Sequence, residues 1–156
     1  MVEERIQDYI QGIIPGIEVI VLKEDTSTSE LAARALGLEV GQIAKSILYK
    51  GKDDYLMVVA AGDVRLDSKL VKQLAGSRVR MANAEEVMAV TGYSPGGVCP
   101  FALPNPLTVY ADASLRRFDV VYAAAGSPHS AVPVTFDQLV TITGARPCDV
   151  ALPLDE

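Results

Sequence analysis

The chain has one histidine, His129, and two cysteines, Cys99 and Cys148. The cysteines stand in no metal-ligand spacing, which with a lone histidine argues against a zinc site, and neither metal nor cofactor is expected. No apolar run is long enough to span a bilayer. The start, Met1-Val2-Glu3-Glu4-Arg5, lacks the basic and apolar regions of a signal peptide. A cytoplasmic protein with no membrane partner is the expectation. Low-complexity stretches are also missing, so disorder is not expected away from the ends. Basic residues are in deficit: 14 Lys and Arg against 20 Asp and Glu leave a net charge of −6. That balance argues against a broad basic footprint for nucleic acid.

What remains fits one domain, residues 1–156, with one sizeable core, since 49% of its residues are apolar. The cations are unevenly spread. Lys45, Lys50, Lys52, Arg65, Lys69, Lys72, Arg78 and Arg80 all fall between residues 45 and 80, which leaves room for a local positive patch. Reading the end of an RNA needs only a few phosphate contacts and a stacking pocket.

Periodicity and capping signals give the elements. Ile6, Tyr9, Ile10 and Ile13 recur at helical spacing over residues 3–13, and Ile17 to Leu22 reads as a strand. Ser27 and Glu30 have capping-box spacing for a helix through Leu36 that Gly37 closes. Ile43 to Tyr49 and Tyr55 to Ala61 form a hairpin around Lys50-Gly51-Lys52-Asp53-Asp54. Asp67 caps a helix ended by Gly76, and a short strand at Val79 to Met81 precedes a helix capped by Asn83 with Glu86. Strands follow at Leu107 to Ala111 and Asp119 to Ala124. A last helix runs from Thr135, with Gln138 at capping-box spacing, to Gly144. The tail from Arg146 to Glu156 reads as extended or frayed. Strands mixed with short helices, without a regular βαβ repeat, indicate an α+β fold.

Two features carry chemistry. Thr91-Gly92-Tyr93-Ser94-Pro95-Gly96-Gly97-Val98-Cys99-Pro100 packs three glycines and two prolines into ten residues between a helix and a strand. Such a loop serves as a tight turn or as a rigid backbone cradle for an anion or a developing oxyanion. Lys45 is the second feature. Strand alternation puts it on one face with Ile43 and Ile47, and Ala44, Ser46 and Leu48 on the other. It either points to solvent or is held over something anionic, because an unpaired buried ammonium is costly.

The run Gly41-Gln42-Ile43-Ala44-Lys45-Ser46 followed by the glycine loop resembles the YbaK/ProX family. These are aminoacyl-tRNA deacylases related to the editing domain of bacterial prolyl-tRNA synthetase. Thr26-Ser27-Thr28, Leu66-Asp67-Ser68-Lys69-Leu70 and Ala125-Gly126-Ser127-Pro128-His129 fit in order, so the resemblance covers roughly residues 20 to 146. It implies a mixed, partly barrel-like β-sheet flanked by short helices. It also implies hydrolysis of the ester of a mischarged tRNA, with tRNA for proline the expected carrier and its 3′ end the partner. A non-catalytic module of the same fold, binding a tRNA end or a synthetase, is the alternative.

Under this resemblance the catalytic groups are the Gly96, Gly97 and Val98 backbone and Lys45, which would fix a phosphate or the terminal ribose. The substrate-binding set is Thr26, Tyr93, Pro100, Ala102 and His129. Tyr93 stacks on adenine or packs beside the turn, and His129 walls the amino-acid pocket or sits on an exposed loop. Cys99 reads as a buried packing residue rather than a nucleophile. One departure stands out: many members have glycine where this chain has Ala102.

Overall fold

Tyr55–Ala61 is the most uniformly apolar strand of the chain, and it lies inside the sheet with Leu56 through Ala61 all buried. A computed structural model describes residues 1–154. Its helices are α1 (Val2–Gln11), α2 (Ser29–Leu36), α3 (Ser68–Ala75), α4 (Ala84–Thr91) and α5 (Phe136–Thr143). The strands are β1 (Ile20–Val21), β2 (Ile43–Lys50), β3 (Tyr55–Ala61), β4 (Arg80–Met81), β5 (Thr108–Asp112), β6 (Val121–Ala123), β7 (Ser130–Val134) and β8 (Arg146–Cys148). They form one open, mixed sheet in the order β1-β7-β6-β2-β3-β5-β8, with β4 added on β2. The β2–β3 hairpin is antiparallel as its turn sequence implies, while β2–β6, β3–β5 and β5–β8 are parallel. The mixed sheet flanked by short helices is the α+β architecture expected.

Both faces of β3 are covered, which explains its unbroken apolar run. Met57, Val59 and Ala61 join the larger core with Ile6 and Ile10 of α1 and Leu139 of α5. Leu56 and Val58 alternate to the other face, against Val71 of α3 and Val150. The expected caps form: Asp67 accepts from the Lys69 N–H, and Asn83–Glu86 and Thr135–Gln138 make reciprocal capping boxes.

Four local expectations change. α2 is capped by Thr28, whose side chain accepts from the Leu31 N–H. Ser27 is instead held in a turn by Asp25 Oδ1, 2.8 Å from its N–H. The strand expected over Ile17 to Leu22 shrinks to β1, because the Gln7 side chain takes the Ile17 carbonyl and the Val19 N–H. β7 carried no strand signal, since Pro133 interrupts its pattern. The proline is tolerated because β1 pairs only with Ser130 and Ala131. The tail, as far as it is described, is extended and tied down rather than frayed: β8 pairs with β5, and buried Asp112 accepts from the Val150 N–H at 2.7 Å, while Asp155 and Glu156 lie outside the described residues.

Candidate active site

β2 has a continuous partner on one side and a broken one on the other. β3 pairs with it from Ala44 to Lys50. On the opposite edge β6 meets only Ile43 and Ala44, and β4 meets only Tyr49 and Lys50. Between them the strand edge is open. The Ile43 carbonyl accepts from the Gly62 N–H on the β3 side, and the Leu48 carbonyl accepts from the Ala82 N–H on the β4 side. Main-chain groups alternate along a strand, so those of Ser46 face the opening. A cavity of about 100 Å³ lies there, and Lys45, Ser46, Thr26, Gly96, Val98 and Ser130 are among its walls.

Three loops converge on this opening. The Thr26 N–H donates to the Pro128 carbonyl at 2.7 Å, and Thr26 Oγ1 accepts from the Ser130 N–H at 3.2 Å. The glycine loop makes a 3-10 turn over Pro95–Gly97. A Cβ at Gly96 would lie 3.0 Å from Ser27 Cβ, and one at Gly97 only 2.5 Å from the Ser127 nitrogen. Gly97 is thus required by backbone packing against the 126–128 segment. Its N–H is also committed, donating to the Ser94 carbonyl at 2.9 Å. Among the described residues no acceptor meets the N–H of Gly96 or Val98.

Lys45 lies in this cleft rather than in open solvent. Its half-buried ammonium donates to the Val64 carbonyl. Burial draws its pKa below the ordinary lysine value, while the carboxylates of Asp63 and Glu30 partly oppose that. Asp63 is itself gripped by both terminal nitrogens of Arg117.

Four expected substrate-binding residues lie off the cleft. Tyr93 is 1% exposed, and its hydroxyl donates to the Phe101 carbonyl, so it is a strut under the loop with no face for adenine. Pro100 is buried beneath the same loop. Ala102 packs against the core and adopts φ 50°, the left-handed backbone a glycine would supply, with its carbonyl receiving Arg5 and the Tyr93 hydroxyl, both at 3.4 Å. His129 is exposed, its Nδ1 2.9 Å from the Glu24 carbonyl. The next residue, Ser130, opens β7 and turns inward, so alternation sends His129 out. Cys99 is fully buried, and burial pushes its thiol up to about 12, which rules out a resting thiolate at neutral pH.

Sequence reasoning left Ser46, Ser130 and Tyr122 unassigned, although all three line the cavity. Only Ser46 left a trace, as a polar residue alternating with Ala44 and Leu48 on an inward face. Among the described residues, no cluster of three or more His, Cys, Asp or Glu could hold a metal ion, and no helix is long and apolar enough to cross a membrane.

Known proteins share this architecture. A model of the aminoacyl-tRNA editing domain matches residues 23–142. The Bacillus subtilis (strain 168) protein YwhH, itself uncharacterized, is 40% identical over 123 residues, covering 78% of each chain. A proposed Cys-tRNA(Pro)/Cys-tRNA(Cys) deacylase of Enterococcus faecalis (strain ATCC 700802 / V583), EbsC, is 26% identical over 125 residues, covering 79% of this chain and 76% of its own. The crystal structure of a proposed trans-editing enzyme for prolyl tRNA synthetase superposes with a TM-score of 0.90 at 34% identity, covering 97% of this chain and 98% of that one. On sequence and fold alike, the chain belongs to the aminoacyl-tRNA editing domain family.

Proposed function

We propose that this chain, acting as a single domain, is a trans-editing deacylase that hydrolyses the ester of a mischarged tRNA, with tRNA for proline as carrier. One observation carries the reading: in a member of this family, Lys45, Gly96 and Val98 line a single cleft at the open edge of β2, and among the described residues the Gly96 and Val98 N–H groups meet no acceptor. Water adds to the ester carbonyl carbon, the carbon–oxygen bond to the ribose breaks, and the ribose oxygen leaves with a proton. Free amino acid and uncharged tRNA result.

The ester is already activated, so orientation and charge stabilisation suffice. The Gly96 and Val98 N–H groups receive the negative charge that develops on the carbonyl oxygen. The Lys45 ammonium, with donors to spare beyond the Val64 carbonyl, holds a phosphate or the terminal ribose. The buried Cys99 takes no part. A neighbouring ribose hydroxyl of the substrate helps activate the water.

Ala102 does not favour the alternative of a binding-only module, because it keeps the left-handed backbone of the glycine it replaces. Deacylation of a panel of charged tRNAs tests the proposal. Release of amino acid above the no-enzyme rate, from at least one tRNA and lost in Lys45→Ala, is expected. No release from any member by folded protein would overturn it.

A further inference from the structure

The Lys45 ammonium donates to the Val64 carbonyl, and among the described residues it forms no ion pair. Yet a carboxylate stands close by along the chain, because Asp63 directly precedes Val64. Consecutive Cα atoms are about 3.8 Å apart, so the Asp63 side chain starts within a few ångströms of the ammonium's acceptor. Arg117 takes that carboxylate instead. Its two terminal nitrogens donate to the two Asp63 oxygens at 3.1 and 2.5 Å, and its Nε donates to the Ser114 carbonyl at 2.9 Å. The guanidinium is thereby aimed from the segment between β5 and β6. Gly41, four residues before Lys45, leaves room for the pair: a Cβ there would lie 2.8 Å from Asp63 Oδ2 and 2.9 Å from the Phe118 ring. The Gly62 N–H, donating to the Ile43 carbonyl at 2.7 Å, ties the turn itself to β2.

Stability is a weak reason for this arrangement. The Arg117 and Asp63 side chains are 34% and 32% exposed, and ion pairs so exposed add little to a fold. What a two-pronged pair supplies is a fixed direction. Arg117, through its hydrogen bonds first, holds the Asp63 carboxyl below the usual carboxylate range, so the group stays charged and remains a competitor for Lys45. Glu30 on α2, the other carboxylate whose charge reaches Lys45, is exposed. We propose that Arg117 is a positioning residue for Lys45: it withdraws the Asp63 carboxylate, so that the ammonium stays on the Val64 carbonyl with its remaining donors open to the cleft. The assignment rests on the deacylase reading above. A freed Asp63 would close an ion pair with Lys45 and occupy the donors meant for the phosphate or ribose.

The test uses the full chain, a tRNA ester that wild type hydrolyses, and three variants checked for folding by melting temperature: Arg117→Met, Asp63→Asn and the two together. Arg117→Met is expected to lower kcat/KM about tenfold, as a misplaced substrate-binding group does. Adding Asp63→Asn is expected to return it to within about threefold of wild type, and Asp63→Asn alone to change it no more than that. A residue that merely shaped the turn would show no such rescue. The second readout is the titration of the Lys45 amine, followed by NMR in protein labelled at lysine and assigned with Lys45→Ala. The freed carboxylate favours the charged amine, so the midpoint rises in Arg117→Met and returns in the double variant. An unchanged Lys45 titration or unchanged turnover in Arg117→Met overturns the proposal, and so does a loss of turnover that Asp63→Asn fails to repair. Hydrolysis of no tRNA ester by wild type overturns the deacylase reading, while the titration still decides what Arg117 does to Lys45.

Discussion

The two ends of β2 differ in how completely their polar groups are engaged. At the hairpin end, Tyr49 and Lys50 have strand partners on both sides. Beside them the Tyr55 hydroxyl donates to Glu86 at 2.8 Å, and Arg80 reaches both oxygens of the same carboxylate at 2.7 and 3.0 Å. Glu86 also closes the capping box with Asn83. At the other end the strand edge is open, Ser46 Oγ has no protein partner, and Lys45 leans on one carbonyl. Satisfied polar groups hold a fold together, whereas half-satisfied ones tolerated in a cleft are available to a ligand. The hairpin end is therefore engaged within the fold, and the cleft end carries the proposed binding site.

The sharpest way to break this comparison is Lys45→Ala. Deacylation should fall roughly 100-fold, the scale of losing a charge-stabilising group. Stability should hold or rise slightly, because the ammonium is partly desolvated in the folded state. A lowered lysine pKa means the charged form costs stability below the folded pKa, a cost relieved as pH rises through it. Chemical denaturation alongside single-turnover assays checks both halves. A destabilised variant with unchanged turnover would move Lys45 to the structural side.

Gly97→Ala should follow in size. Its new Cβ would sit 2.5–2.6 Å from backbone atoms of Gly126 and Ser127. Separating two packed loops should cost about 3 kcal/mol and misplace the Gly96 and Val98 N–H groups. Urea titration measures the first effect, and turnover per folded molecule the second.

The hairpin end should respond in the opposite sense. Asn83→Ala removes an N-cap and should cost about 1 kcal/mol with turnover unchanged. Glu86 adds a pH signature. Arg80 first, then the Asn83 backbone and Tyr55, lower its pKa from 4.5 to about 2. Its stabilisation is therefore complete above pH 4.5 and is lost as pH falls through 2. The gap in unfolding midpoint between wild type and Glu86→Gln should be flat above pH 4.5 and close toward pH 2.

His129→Ala should do least. The ring lies outside the cleft against the Glu24 carbonyl. Rates on different aminoacyl groups should stay within about twofold of wild type, the small response usual for surface changes. A changed ratio between substrates would bring the histidine back to the pocket wall.

Local signals made most of the framework legible. The hairpin, the three helices capped by Asp67, Asn83 and Thr135, and the buried strand over Tyr55–Ala61 all follow from propensity, capping and periodicity, which act within a few residues. The pairing of Lys45 with the glycine loop was legible through the ordered motifs that resemble the family. What local reasoning missed depends on contacts distant in the chain. Gln7 shortens a strand ten residues away, and Asp112 anchors a tail that local signals left as either extended or frayed. Tyr93, Pro100, Ala102 and His129 sit in the right motifs, yet packing and strand alternation turn them away from the cleft.

By itself, then, the sequence determined the family, the mixed α+β order of elements, and the two segments that build the cleft. Only the tertiary structure decided which groups in those segments are unengaged. Whether a serine hydroxyl or a glycine N–H is spoken for depends on what the rest of the chain brings within 3.5 Å, roughly the reach of a hydrogen bond. β6 stops at Ala44 and β4 begins at Tyr49. That interruption, set by strand pairings far apart in the chain, leaves the main chain of Ser46 unpaired beside the cleft that Lys45 lines.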